Sequence, residues 1–537
     1  MGTGWRRQRL LNSLFWHSLA LVGAFVAAAA LRLYILPVAR MPLESDEAIF
    51  LLMARHILNG ERPLFFYGEA YGGSFDAYLI ALFSRLFGEG VALGRLLQSL
   101  EYLVGMAFTY LLARRLLPGA RVGPLAALWL MAIPPLLMST WTTPVLIYAL
   151  AICLSSILLY LGHRLLWEDA ERPWRWAIFG AVAGFAFWTF GILVVTLLPL
   201  FGFFLWQFRW RRWPGYLLGT LAFFLFSWPW WTQALAGLQV ATNQDPLVGT
   251  LPFATRVLAF FGLTLPAFFG FRDPWSPQIG WLVLAPVVTI FYLAAILYTL
   301  PRTRRTDPSA PAIEPVGFAL LGIQALTWVV LYFGTRFSLD ATGRYITILY
   351  PSLFIATGLL LERIDRWRST LAIGLLAALL AFNLGTHVRA GNTVPPGITA
   401  QMNPALNFGN ASDQALIDFL TAHGGRGYSH HWISYKIAYL SEEQVILAGH
   451  LPFRSDLGWN PRDDRYPPYS AIVASSLDRL YVTHREPHLE AYLQRAFTER
   501  GITYRIQDIG PYRVYYDLSS AISPQEIGLG RNPNDIN

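Results

Sequence analysis

The sequence predicts a mostly α-helical, polytopic membrane bundle of about eleven spans with a cytoplasmic N-terminus, followed by a small extracytoplasmic α/β domain. Three observations predict it. Long apolar runs recur up to about residue 387, and the polar tail after them lacks such runs. Hydrophobic residues make up 55% of the chain and charged residues only 14%, whereas soluble domains carry roughly 25% charged residues. Arginines cluster on alternate connections between the runs.

A helix needs about 20 apolar residues to cross a bilayer. The candidate spans are 11–36, 91–112, 122–140, 144–166, 175–190, 191–207, 214–235, 278–300, 315–334, 345–361 and 370–387. The first is too long for the apolar core of a signal peptide and reads as a retained span. The fifth and sixth are short and abut at Thr189-Phe190-Gly191, so they read as a broken or re-entrant pair. Six arginine groups fall on one side of this scheme: Arg6, Arg7 and Arg9; Arg114, Arg115 and Arg121; Arg164, Arg172 and Arg175; Arg209, Arg211 and Arg212; Arg302, Arg304 and Arg305; Arg363, Arg366 and Arg368. The positive-inside rule makes that side cytoplasmic. It also accounts for the net charge of +8 without nucleic acid.

The outward segments are then a loop 37–90, a turn near Trp141-Thr142-Thr143-Pro144, a loop 236–277, a loop 335–344 and the tail. The expected boundary divides a membrane domain, 1–387, from a soluble domain, 388–537. Gly391 to Asn410 reads as a linker. In the tail, Arg479 to Thr483 alternates like a strand. Thr503 to Ile509 and Arg513 to Leu518 flank Gly510-Pro511 as a hairpin. Cys153 is the one cysteine, so no intrachain disulfide forms.

Chemistry-bearing residues gather in the outward segments. Glu44-Ser45-Asp46-Glu47 follows the first span directly, and Leu58-Asn59-Gly60 comes after it. Ser45 or Asp46 suits the cap of an interfacial helix that Asn59-Gly60 would close. The same Asp46 suits a general base held at the membrane surface. Glu69-Ala70-Tyr71-Gly72-Gly73-Ser74-Phe75-Asp76 suggests a tight turn with close backbone approach. Glu69 and Asp76 are solvated loop acids, supporting carboxylates or a cation site. Arg95 opens the second span and either snorkels or serves the site, and Glu101 lies deeper in that span. Gly343-Arg344-Tyr345 precedes Tyr350-Pro351. There a guanidinium beside an outward helix N-terminus suits a phosphate, with interfacial anchoring as the plainer alternative. Arg272-Asp273 offers a similar but less specific contact. No G-x-x-x-x-G-K-[ST] motif occurs. No His-rich metal motif occurs either, and His430-His431 reads as a surface or sugar-contacting dipeptide rather than a zinc site.

One span, an outward loop opening on Asp46-Glu47 and then Arg95 together resemble the GT-C membrane glycosyltransferases. Within them the pattern is most similar to the protein O-mannosyltransferase and aminoarabinose transferase branch. Gly343-Arg344-Tyr345 with Tyr350-Pro351, and the run Gly184-Phe185-Ala186-Phe187-Trp188-Thr189, add to the likeness. The resemblance implies transfer of a sugar from a polyprenyl-phosphate donor at the outer face. It implies Asp46 as the catalytic carboxylate, Glu47 as its partner, Arg95 working with that pair, and Arg344 holding the lipid phosphate. Where relatives carry His-Pro-Pro, this chain has Tyr71-Gly72-Gly73-Ser74, so the resemblance does not name the acceptor.

The expected reaction is inverting attack by an acceptor hydroxyl on the anomeric carbon, with Tyr345, Arg272, Glu69 and Asp76 around the substrate. No cofactor is required for it. A divalent cation shared by Asp46, Glu69 or Asp76 is a further option. The partners implied are the donor, an acceptor glycan, lipid or protein, and the bilayer, but no nucleic acid. The expected location is a prokaryotic inner membrane with the tail outside the cytoplasm. A lipid-linked glycan transporter or flippase is the alternative, against which stand the charges at span ends and the lack of a repeat. A glycan-binding receptor is a third class.

Overall fold

The computed structural model describes residues 2–35, 41–69, 72–144, 147–235, 252–276, 279–280, 283–299, 315–340, 342–392, 406 and 409–530. Tyr71, the arginines 302, 304 and 305, residues 236–251 of an expected outward loop and nearly all of the expected linker lie outside them.

Among the described residues, the molecule is a helical membrane bundle with one small sheet in the tail. Among the described residues, seven helices are long and apolar enough to cross a bilayer: Phe15–Ile35, Val91–Leu116, Tyr148–Glu168, Gly191–Phe208, Gly317–Gly334, Arg344–Trp367 and Ser369–Gly391. Shorter apolar helices occupy Val122–Ala132, Trp213–Phe226, Phe253–Phe268 and Ala285–Thr299. Phe253–Phe268 falls in a segment the sequence analysis takes as loop. It is short and carries Arg256 near its start, so it lacks the length and purity of a spanning run. The Arg256 charge is absorbed by neighbours, because its guanidinium donates to the Phe333 carbonyl and the Ser338 hydroxyl.

The expected break between the fifth and sixth runs is present. The helix Pro173–Thr189 stops at Phe190, whose backbone is extended, and a new helical run starts at Gly191. The broken backbone is used: Phe190 forms an isolated bridge with Gly72 of the first loop, and Gly73 N–H donates to the Thr189 carbonyl at 2.8 Å. A side chain at Gly73 would meet the Thr189 backbone at 2.9 Å, so the expected close approach is real. Trp188 Nε1–H donates to the Leu64 carbonyl and clamps the loop from the other side.

Small residues let the helices touch. A Cβ at Gly180 would lie 2.0 Å from the Gly219 carbonyl oxygen, and one at Gly184 would lie 2.2 Å from that of Phe223. Close backbone contact of this kind replaces the hydrophobic drive that lipid cannot supply. The first span carries a buried arginine, Arg32, which donates to the Thr142 carbonyl and to the hydroxyls of Thr142 and Thr143, and stacks on Tyr102. An intramembrane charge is tolerated when it is satisfied in this way.

The tail forms a five-stranded sheet of order β2-β1-β3-β5-β4. The strands are β1 (Arg426–Tyr428), β2 (Ile446–Ala448), β3 (Leu480–Thr483), β4 (Arg505–Ile509) and β5 (Tyr512–Tyr516). β1 is parallel to β2 and to β3. The β4–β5 pair is the expected hairpin around Gly510-Pro511 and closes the other edge in antiparallel register. Helices pack on the sheet. The chain's one lysine, Lys436 of the helix His431–Leu440, is buried 2.7 Å from Asp413, which also accepts from the Tyr512 hydroxyl. That charged tie fixes the His431–Leu440 helix against the rest of the tail.

Gly184→Leu should unseat the Pro173–Thr189 helix from Trp213–Phe226, because the new side chain runs into backbone. The expected destabilisation is about 1–3 kcal/mol, read as a lower midpoint in thermal unfolding of the detergent-solubilised protein.

Candidate active site

The first loop begins with the helix Ser45–Leu58. The expected cap residues do not cap it: Glu44 holds the cap position, and it makes no side-chain cap bond. The acids that follow are used elsewhere. Glu47 receives two parallel hydrogen bonds from Arg95, both 2.7 Å, with the two side chains 1% and 0% exposed. Burial pushes the Glu47 carboxyl upward, and the Arg95 guanidinium opposes that push.

Asp46 points another way and remains 24% exposed. Its Oδ1 lies 3.1 Å from His431 Nε2 and 3.9 Å from the Arg465 guanidinium, both from the tail. Burial disfavours its charge, but the hydrogen bond and charge of His431, then Arg465 and Arg344, hold its carboxyl down at about 2. Its neighbour Glu44 goes the opposite way. Burial first, then the charges of Asp46 and Glu47, push it well above the carboxylate range. Of Glu44 and Asp46, Asp46 is therefore the one kept ionised.

Glu69 is ion-paired with Arg465, and the same arginine leans towards Asp46. The position the sequence analysis offers to a shared cation is thus bordered by a guanidinium. Asp76 has partners of its own. It is buried, and its Oδ2 accepts from the Ile147 N–H at 2.6 Å and from Gln98 at 3.3 Å, and Gln98 also donates to Glu101. Burial raises the Asp76 carboxyl to about 6. Ile147 has φ +84, an unfavourable value for a β-branched residue, and this strained turn aims its N–H at Asp76. Among the described residues, no cluster of three or more His, Cys, Asp or Glu stands ready for a metal ion.

Gly343 adopts φ +76, the left-handed conformation that glycine tolerates, and Arg344 starts the helical run leading into Tyr350–Trp367. The Arg344 guanidinium is held 2.5 Å from Asp340 and lies over the rings of Tyr345 and Trp141. Its charge is felt at Asp46 and Glu44, so these groups share one electrostatic field. Tyr345 is buried between Arg344 and Phe337. Arg272 is buried and donates to the carbonyls of Leu263 and Ser276. Burial lowers its guanidinium to about 10, against the pull of Asp340 and Asp273. The charge of Asp340, which also pairs with Arg344, links it to the group.

Two residues of the site were not selected from the sequence, His431 and Arg465. Of the two readings of His430-His431, surface or sugar-contacting, the surface one is corrected: the two side chains are 0% and 2% exposed. They sit where β1 meets the His431–Leu440 helix, and the first loop covers that end. The sequence signal that could have marked Arg465 is the charged run Arg462-Asp463-Asp464-Arg465.

Residues 75–231 match the family described as dolichyl-phosphate-mannose-protein mannosyltransferase. Among curated proteins, none matches by sequence. Solved structures match over almost the whole chain. ArnT from Cupriavidus metallidurans in the apo state aligns with a TM-score of 0.61 at 14% identity, covering 95% of this chain and 100% of that one. The same protein bound to undecaprenyl phosphate gives 0.55 at 15%, covering 98% and 100%. The archaeal oligosaccharyltransferase AglB from Archaeoglobus fulgidus, in complex with an inhibitory peptide and a dolichol-phosphate, gives 0.53 at 12%, covering 90% and 71%. The chain is an integral, multi-pass membrane protein that shares its fold with ArnT and AglB.

Proposed function

We propose that this protein is a glycosyltransferase that moves a hexose or pentose from a polyprenyl-phosphate donor to an acceptor hydroxyl, with inversion, at the outer face of a prokaryotic inner membrane. The observation that carries the reading is the charge separation around the first loop. An ionised Asp46 stands in the same field as the Arg344 guanidinium, within a fold that in ArnT accommodates undecaprenyl phosphate and in AglB a dolichol-phosphate.

Each residue has a part in this reading. Asp46 orients the acceptor hydroxyl and, directly or through its hydrogen-bonded partner, draws off its proton. The hydroxyl oxygen attacks the anomeric carbon in line, and the phosphate departs with the bond's electron pair. Arg344 neutralises that phosphate, with Arg272 contributing at longer range. Tyr345 holds the Arg344 fork in place, and Glu69 holds Arg465. Asp76 steadies the loop behind them. The reaction requires no cofactor. A divalent cation beside Asp46 would supply further charge balance. Residues 1–387 form the catalytic membrane part, and the tail from 388 lies outside the cytoplasm. The acceptor is a glycan, a lipid or a protein.

Asp46 and Glu47 are adjacent but should fail differently. Asp46→Asn should fold normally and lose about 10²–10⁴ in turnover, measured as sugar release from a panel of synthetic polyprenyl-phosphate sugars. Near-normal turnover would sink the assignment. Glu47→Gln strands the Arg95 charge in a dry site and should cost about 3–5 kcal/mol, visible as a lower unfolding midpoint before any assay of turnover.

A further inference from the structure

The tail contributes more than a lid over the first loop. His431 stands at the N-terminus of a ten-residue helix, and His430 immediately precedes it. Both follow β1, and His484 follows β3. β1 and β3 are parallel neighbours, and the chain leaves β1 for β2 on one flank before crossing to β3 on the other. These histidines therefore lie beyond the carboxyl ends of two parallel strands, at the point where the strand order reverses. In open sheets of this type, the crevice at such a switch point is where ligands bind.

The polar atoms there are left without partners. Both ring nitrogens of His430, both of His484, Nδ1 of His431 and Nε1 of Trp432 are buried and make no hydrogen bond. Buried polar groups are almost always paired, so a concentration of unpaired ones needs a reason. The rings of His430 and His484 are 4.7 Å apart, as are those of His431 and Trp432. Phe453 stands beside His430 and Trp432. Burial lowers His484 to about 4 and His430 well below the ordinary histidine value, so both are neutral at physiological pH. A neutral imidazole offers one donor and one acceptor, as a hydroxyl does. Neutral imidazoles flanked by flat aromatic rings suit a hydroxyl-rich, carbohydrate-like acceptor better than an anion.

His431 differs from its neighbours because one nitrogen is engaged. The ionised Asp46 only accepts, so the His431 nitrogen 3.1 Å away, Nε2, carries the hydrogen. In the neutral ring Nδ1 is then a bare lone pair. Asp46 Oδ1 already accepts the His431 hydrogen, and a carboxylate is intrinsically a weaker base than an imidazole.

We propose that His431 is the general base of the transfer, oriented by Asp46, and that the crevice of His430, His484 and Trp432 receives the hydroxyl-rich acceptor. This rests on the reaction proposed above. In the step, the acceptor O–H gives its proton to His431 Nδ1, and its oxygen bonds to the anomeric carbon. The bond from that carbon to the phosphate oxygen breaks, and its electron pair leaves with the phosphate. The proton then passes to solvent as the product departs.

His431→Gln separates this role from a structural one. Its amide nitrogen can replace Nε2 against Asp46, but nothing replaces Nδ1. The assay is sugar release from a polyprenyl-phosphate sugar, with water and with octyl glucoside as acceptors. H431Q should bind the donor with an unchanged KM and lose about 10²-fold or more in kcat. Retention of turnover within about tenfold of the unaltered protein overturns the role of His431. Should H431Q not fold, His431→Ala with added imidazole takes its place: restored turnover supports the step, and no restoration refutes it. If the unaltered protein releases no sugar from any donor, the proposed reaction itself fails. If it does so and H431Q matches it, only the base assignment fails.

Discussion

The buried pair of Arg95 with Glu47 fixes the rest of the site. Two parallel hydrogen bonds in a dry environment tie the first-loop helix to the start of the second span. Charges buried this deeply are costly unless their geometry is good, and here it is bidentate. Successive side chains on a helix point about 100° apart. With Glu47 committed to the membrane bundle, Asp46 necessarily faces elsewhere, towards the tail. One ion pair thus determines which carboxylate is structural and which is available for chemistry.

The tail meets that available carboxylate through a polar seam that lies beside an apolar cluster shared by the Ser45–Leu58 helix and the tail. Arg465 bridges Glu69 and leans on Asp46. Next to it, Tyr466 donates to Glu61 and stacks on Tyr67, which donates to the same carboxylate. His56 binds Glu443. These contacts join residues hundreds of positions apart, and they set the tail's histidines over the first loop. The Asp413–Lys436–Tyr512 network does the same from within the tail by holding the His431–Leu440 helix.

Backbone irregularity does the remaining positioning. The helix break at Phe190 leaves an extended residue that receives the Gly72-Gly73 segment of the first loop. Gly343 turns the chain so that Arg344 begins a helical run beside Trp141 and Tyr345. Ile147, strained at positive φ, delivers its N–H to Asp76. Three departures from regular helix therefore border the place where Asp46 and Arg344 share a field.

Much of this was legible without coordinates. Hydropathy determined the bundle, because the bilayer demands long apolar helices. Alternation and the Gly510-Pro511 turn determined the terminal hairpin, and the break at Thr189-Phe190-Gly191 showed as two runs too short to span. The Asp46-Glu47 pair, Arg95 and Arg344 stood out because ionisable groups at a membrane edge are costly to place without a use. Only the tertiary structure decided which acid meets which base. His431 and Arg465 reach Asp46 across more than 380 residues of chain, and no local pattern encodes such a contact. Nor could the sequence say that Arg272 would bind backbone carbonyls or that His430-His431 would be buried. Local propensity and hydropathy act over neighbouring residues, whereas pairing and burial of charge depend on the packing of elements distant in sequence.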